Sequence, residues 1–564
     1  MEIKVRKKRR RLRPEIKLAF MLIAAFLLLT FIGMGRGKKT NYYRSRGLDA
    51  TKTNLVIDST PAGECTAEYD GIRYITLSAV KQYIDPDIYY NPDEGRVIIT
   101  ANDKVVRLHA DGCTVNGEAL ELNFSVYDDA GSIYLPLETV ERVYGRRLSF
   151  ISDKTNMLSV DGDSHDSGKT SKKTRLYAAP DKKAYYGSLP KDALVYCYGQ
   201  EDGFYLAKVM SEGEMCGFVG YIPADRVEIY DFRGTDPTAD DILQARQAQY
   251  PSGRVDLVFD QISNASGAAV TMSNGVPEGV NVLCPTWFSF KDEGGEVINK
   301  ANADYVKWAH QNNVYVWGLV TDNFTSEISH AVLSDDKTRE YAIKQIAAYA
   351  DMYALDGINI DFEAVPKDDS EYWIQFLREL APVCREHGLV LSCDLFVPKM
   401  WSLYYNRKAV GEIVDYVIVM GYDEHYRGGD EAGSVASLDW SVQAVTATLN
   451  AGVPKEKLIL GVPFYTRIWT ESANGGLDSA AYSMDDAHAI MQANGAEFTY
   501  DEKTGQNYAE YTDAEGRHRC WLEDEQSIKK RAALVREHDT AGIAAWKLRM
   551  EKDGIFGIIS KEIK

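Results

Sequence analysis

Asp361 and Glu363 stand two residues apart in the run DGINIDFE, residues 356–363. On an extended chain that spacing aims both carboxyls at one face, and two close carboxylates repel, so one keeps a proton at neutral pH. A protonated carboxyl beside an ionised one is the equipment of general acid–base catalysis. Asn359 continues the same row, while Ile358, Ile360 and Phe362 form the opposite one. Polar groups inward and apolar groups outward invert the usual soluble strand, and the inversion fits a closed barrel with a functional mouth. The plainer alternative is a salt-bridged acidic pair at a strand end. Two carboxylates and an amide also suit Mg²⁺, but no further Asp or His cluster recurs at the neighbouring strand ends, so neither metal nor cofactor is expected.

The elements that must hold this row begin near Tyr250, where strands alternate with helical stretches. The strand candidates are VDLVF (255–259), VNVLCP (280–285), VYVWGLV (314–320), GINIDF (357–362), LVLSCDLFV (389–397), YVIVMGY (416–422), KLILGVPFY (457–465) and GIAAW (542–546). Between them, segments such as TREYAIKQIAAYADMY carry apolar residues three and four apart, as amphipathic helices do. Eight such units predict an α/β fold, a (β/α)8 TIM barrel over residues 250–564, with reactive groups at the C-terminal strand ends. The seventh connection, Thr466 to about Thr540, is long and contains strand-like runs, which predicts a small α+β lobe beside the cleft.

DGINIDFE resembles the D-x-x-D-x-D-x-E signature of glycoside hydrolase family 18. The likeness extends over 250–564 through CPTWF, VMGYDEH, LILGVPFYTRIW, RCWLEDEQSIKKRAALV and GIAAW. It is strongest to the spore cortex-lytic type of bacterial N-acetylglucosaminidase. The resemblance implies a substrate-assisted retaining mechanism, an exception to the two-carboxylate scheme. Glu363 would protonate the leaving oxygen while the sugar's own 2-acetamido carbonyl attacks. Asp361 would orient that group, Tyr422 would hydrogen-bond its oxygen, and Met420 and Asp423 match the neighbouring M-x-Y-D positions. Trp546 would floor the distorted sugar, and Trp287 and Tyr465 would line the cleft or belong to the core. Asn359 stands where many family members have an inner aspartate that shares a proton with the next carboxylate. Asparagine cannot take up a proton, so Asp361 is expected to stay ionised through the cycle. Peptidoglycan, chitin and N-glycans all remain open as substrates. The rival readings are a non-catalytic lectin and a scaffold whose accessory modules tether membrane to wall.

The rest of the chain sets the compartment. Its 564 residues are 45% hydrophobic and 26% charged, ordinary for globular domains but too many for one core. Residues 1–46 hold fourteen Lys or Arg against two Glu, a local +12 that leaves −31 for the remainder of the net −19. The basic run over 1–17 precedes an apolar stretch, LAFMLIAAFLLLTFIGM, which reads as a cytoplasmic tail and a transmembrane anchor over 18–35. The bulk then lies outside the membrane, and a cleaved signal peptide is the alternative. The acidic remainder argues against nucleic acid. Residues 54–160 alternate short β-rich runs with turns and resemble the N-terminal domain of copper amine oxidases. A polar linker is expected at 161–173, and 174–229 resemble a bacterial Src-homology-3-like β-barrel module. No two of the eight cysteines form C-x-x-C, which disfavours zinc, and a Cys197–Cys216 disulfide is one option beside plain core packing.

Overall fold

The computed structural model describes residues 37–100, 104–109, 112–120, 126–162, 165–231, 247–472 and 474–564. The expected membrane anchor over 18–35 lies outside the described residues. Among the described residues, no helix is long and apolar enough to cross a membrane. The chain divides into two compact units, one running to Asp241 and the other from Ile242 to Lys564, apart from short segments between 103 and 118.

The first unit is rich in short strands. Asn54–Ile57, Thr60–Gly63, Arg147–Ser152 and Met157–Asp161 form one four-stranded sheet, and Thr66–Tyr69, Ile72–Thr76, Tyr127–Asp129 and Ser132–Pro136 another. Beyond residue 165 the strands join one eight-stranded, largely antiparallel sheet. The segment expected to be a linker is partly structural: Asp166–Thr170 is a strand lying between Leu194–Glu201 and Val227–Asp231. Its small polar residues are there for fit. A Cβ on Gly168 would stand 3.0 Å from Ile229 and 3.1 Å from Val227, and the buried Thr170 hydroxyl donates to Pro190 O at 2.6 Å. All eight cysteines are free thiols, Cys197 and Cys216 included, and both of these are buried as core residues.

The second unit is built on eight parallel strands at the expected places: β1 (Val255–Asp260), β2 (Val282–Pro285), β3 (Tyr315–Thr321), β4 (Gly357–Asp361), β5 (Val390–Phe396), β6 (Tyr416–Met420), β7 (Leu458–Pro463) and β8 (Gly542–Trp546). Each pairs with its chain neighbour, and β8 pairs with β1, so the sheet closes on itself. The period-two alternation sorts the strand residues into two cores. Leu257, Phe259, Cys284, Trp317, Leu319, Ile418 and Ile459 fill the barrel interior. Val258, Leu283, Val320, Ile358, Ile360, Leu391, Leu395 and Val419 face the surrounding helices. Each such fully buried aliphatic side chain contributes about 1.5–3 kcal/mol relative to exposure.

Close approach requires glycine at two points under the site. A Cβ on Gly357 would sit 2.6 Å from Trp317 Cδ1 and 2.8 Å from Val390 O, blocking the packing of β4 between its neighbours. One on Gly461 would stand 2.7 Å from Val419 O and 3.3 Å from the Tyr422 ring. Helix starts are set by caps: Asp335 accepts the Thr338 N–H before Asp336–Tyr353, and Asp524 with Ser527 forms a capping box before Glu525–Glu537.

The insertion after β7 is an α+β lobe, narrower than expected. Its five-stranded antiparallel sheet spans Tyr465–Leu522, with Met484–Ala493 packed on it through Ile468, Ala487, Met491 and Cys520. Residues 525–537 return to the barrel as the helix before β8.

Candidate active site

At the C-terminal ends of the barrel strands lies a cavity of about 1000 Å³, at the upper end of the usual size for a ligand cleft. Glu363 and Asp361 open into it beside Tyr422 and Met420 from the end of β6, and Trp546 from the end of β8. Asp423 and Tyr465 also line it. Trp287 does not: it is 1% exposed and packs at the outer core against Phe288 and Tyr305. It sits just past β2 on the helix-facing side, so its placement in the cleft is corrected.

Asn359 is buried one step below Asp361 and points inward, while Ile358, Ile360 and Phe362 belong to the outer core. Its amide nitrogen donates to Ser392 Oγ at 3.0 Å and to Asp394 Oδ1 at 2.9 Å. Asn359 Oδ1 and Asp361 Oδ1 are buried without a hydrogen-bond partner. Asp361 is therefore strongly desolvated. Burial raises its carboxyl well above the usual range, and Asp394, Glu363 and Asp322 reinforce the rise.

Glu363 lies two residues past β4 in a segment pinned on both sides. Asp322, just beyond β3, accepts the Ala364 N–H at 2.8 Å and the Ser329 hydroxyl at 2.6 Å. The Tyr405 hydroxyl donates to Phe362 O and the Tyr404 hydroxyl to Val365 O, each at 3.0 Å. Burial pushes the Glu363 carboxyl up to about 7, with Asp322 and Asp423 adding to the rise. The repulsion expected from the D-x-E spacing thus acts on Asp361, whereas the environment of Glu363 is set by its burial and by loops from other strands.

Tyr422 keeps its proton firmly, because burial first, and then Asp394 and Asp361, raise its hydroxyl well above the ordinary value. The Tyr465 hydroxyl donates to Asp423 Oδ1 at 2.6 Å, joining the insertion lobe to the loop after β6. A second tie reinforces that wall, Trp469 Nε1 donating to Gly433 O at 2.8 Å.

Several lining groups escaped the sequence reading. Asp394 on β5 is 4% exposed and lines the cavity, its carboxyl pushed up to about 8 by burial and by Glu363. The strand SCDLF carries the same inversion as NIDFE, with Ser392 and Asp394 inward and Cys393 and Leu395 outward, so its alternation held the signal. Asp322 stands buried one residue past β3, in the row of Val316 and Val320 that faces the helices, so the alternation of that strand gave no sign of it. With both present, acidic side chains do recur at the neighbouring strand ends, contrary to the sequence reading. They do not assemble into a group of three or more metal-ligating side chains among the described residues. The expectation that Asp361 stays ionised through the cycle meets a second buried carboxyl, Asp394, which together with burial raises the Asp361 carboxyl. Phe324, Trp401 and Tyr426 also line the cavity, each more than half exposed, with Trp440 beside them. Aromatic faces of this kind stack on sugar rings and bury their apolar surface.

Residues 291–551 match the family model of glycosyl hydrolases family 18. The cortical fragment-lytic enzyme of Bacillus subtilis (strain 168) is 31% identical over 242 residues, which cover 41% of this chain and 56% of that protein. The chain therefore spans little more than half the length of that curated relative. Among solved structures, the spore cortex-lytic enzyme SleL of Bacillus cereus superposes with a TM-score of 0.50 at 22% identity, over 60% of this chain and 77% of that one. The chitinase of Chromobacterium violaceum ATCC 12472 does so with a TM-score of 0.50 at 24% identity, over 55% and 98%. These two likenesses establish the barrel fold.

Proposed function

We propose that the family 18 glycosyl hydrolase domain matched over residues 291–551 makes this chain a glycosidase that cleaves β-1,4 bonds next to N-acetylglucosamine. The observation that carries the reading is the convergence of Glu363, Asp361 and Tyr422 on one cavity, with the Glu363 carboxyl raised to about 7. A carboxyl at that value is about half protonated at neutral pH, so a large share of the protein carries the proton that a general acid must deliver.

In the proposed reaction Glu363 gives its proton to the glycosidic oxygen as the bond to the anomeric carbon breaks. The 2-acetamido carbonyl oxygen attacks that carbon from the opposite face and forms a cyclic oxazolinium ion. Asp361 accepts the N–H of the acetamido group and balances the positive charge growing there, and the Tyr422 hydroxyl donates to the acetamido oxygen. Trp546 supports the apolar face of the ring. Water then opens the ion while Glu363 takes back a proton, so the configuration at the anomeric carbon is retained.

Bacterial cell-wall or spore-cortex peptidoglycan is the substrate we favour. The name of the Bacillus subtilis relative supports it, as does the N-terminal order of a basic tail over 1–17 and an apolar anchor over 18–35, which would hold the barrel outside the membrane. The two modules between anchor and barrel would position it at the wall. Chitin is the alternative, supported by the likeness to a chitinase fold.

The test is release of reducing ends from purified peptidoglycan and from chitin oligomers by the full chain, set against its Glu363→Gln variant. Loss of the general acid is expected to lower the rate by about 10²–10⁴-fold. Equal release by both proteins would overturn the reading, and mass analysis of the products identifies the preferred polymer.

A further inference from the structure

Asp361 has a buried acidic neighbour on the next strand. β4 and β5 pair in parallel with Asn359 opposite Ser392 and Ile360 opposite Cys393, a register whose next step sets Asp361 beside Asp394. Adjacent strands lie about 4.8 Å apart, and both side chains point inward to the same cavity. The Asn359 amide fixes Asp394 by donating to Oδ1, and Asp361 Oδ1 is buried without a hydrogen-bond partner. The ionisable groups that act on the pair are Glu363 on the β4 side and Asp322 past β3. Tyr422 past β6, Cys284 on β2 and Cys393 on β5 complete the surroundings. Among the described residues, the groups that act on the two carboxyls are acidic or neutral and include no cation. Two carboxyls so placed hold one proton between them, because ionising both in a dry site is prohibitive.

We propose that Asp394 is the positioning residue that exchanges this proton with Asp361 during the reaction, a lateral pair across two strands in place of an axial pair along one. The proposal rests on the glycosidase reading above. Before bond cleavage the shared proton resides on Asp361 and Asp394 is the anion. As the acetamido group attacks and its nitrogen gains positive charge, the proton passes from Asp361 to Asp394, leaving Asp361 as the carboxylate that accepts the N–H. Opening of the oxazolinium ion by water returns the proton to Asp361. The pair carries one proton throughout, and no other species is consumed.

The test is the pH profile of kcat for the full chain and for Asp394→Asn. Asparagine keeps the size but neither stores a proton nor repels Asp361, so the acidic limb should move to lower pH and kcat should fall at least about tenfold, part of an ordinary acid–base contribution. In the double variant Asn359→Asp/Asp394→Asn the neighbour is restored along β4, and most of the lost kcat should return. An unmoved acidic limb with kcat within twofold, or a double variant no better than Asp394→Asn, would overturn the proposal. Difference infrared spectroscopy of the same proteins at neutral pH reads the pair without turnover. Wild type minus Asp394→Asn should show one protonated-carboxyl band, and its absence would also overturn the proposal. A wild-type chain inactive on every polymer yet showing that band would sink the glycosidase reading and leave the proton pair standing.

Discussion

Asp322 Oδ2 accepts the backbone N–H of Ala364, the residue that follows Glu363, at 2.8 Å. The bond runs from the end of β3 to the loop after β4, so one strand end sets the position of the acid carried by the next. The same carboxylate accepts from the Phe324 N–H at 3.1 Å and from Ser329 at 2.6 Å. It is a junction, buried and fully used.

Replacing Asp322 by Ala should therefore release the Glu363 loop rather than remove a substrate contact. A misplacement of about 1 Å costs about 10²-fold in rate, so kcat is expected to fall by that order while KM changes little. Steady-state kinetics on chitin oligomers checks this. A variant that raised KM at unchanged kcat would show that Asp322 acts on binding instead.

The raised carboxyl of Glu363 fixes the alkaline limb of the pH profile. A general acid works in its protonated form, so kcat/KM should fall as pH rises through about 7, roughly tenfold per unit beyond it. Activity level to pH 9 would mean that another group delivers the proton.

Glu363→Gln should separate the two halves of the first step. An aryl leaving group needs little protonation, so the variant is expected to keep a substantial part of the wild-type rate of its release from an aryl N-acetylglucosaminide, while losing about 10²–10⁴-fold on sugar leaving groups. Equal losses on both substrates would place Glu363 in binding or folding.

The same substitution should also stabilise the fold, and by an amount that depends on pH. The folded-state value of Glu363 is raised, from about 4.5 to about 7. Its contribution is therefore intact below the unfolded value and is lost as pH rises through about 7. Glutamine has no charge to lose, so its advantage over wild type should grow to about 1–3 kcal/mol at pH 8 and nearly vanish at pH 4.5. Thermal unfolding at the two pH values measures it, and an equal difference at both would contradict the cause given for the shift.

Much of the barrel could be read in the sequence because each strand carries its own signal. Runs such as LILGV and YVIVM are apolar on both faces, as strands buried between an inner and an outer core must be, and DGINIDFE shows its polar face directly. What escaped was contact between strands. Nothing near DGINIDFE announces that Ser392 and Asp394 will stand beside Asn359 and Asp361, because the register of β4 against β5 is fixed only when the barrel closes. Trp287 erred in the other direction. Its place beside a barrel strand suggested the cleft, but the side chain turns to the helix layer and packs on Tyr305. The polar run at 161–173 concealed a strand, since the polarity of Gly168 and Thr170 says nothing of the small volume their sheet requires.

The central claim, that the sugar supplies its own nucleophile while Glu363 supplies the proton, is tested most directly by comparing kcat/KM for an N-acetylglucosamine oligomer with that for the same oligomer lacking the acetyl group at the cleaved residue. An intramolecular attack confers effective molarities of about 10⁵ M or more. Removal of the acetamido carbonyl is accordingly expected to lower kcat/KM at least about a thousandfold, with Glu363→Gln adding little further loss on the deacetylated substrate. Rates within tenfold of each other would contradict it.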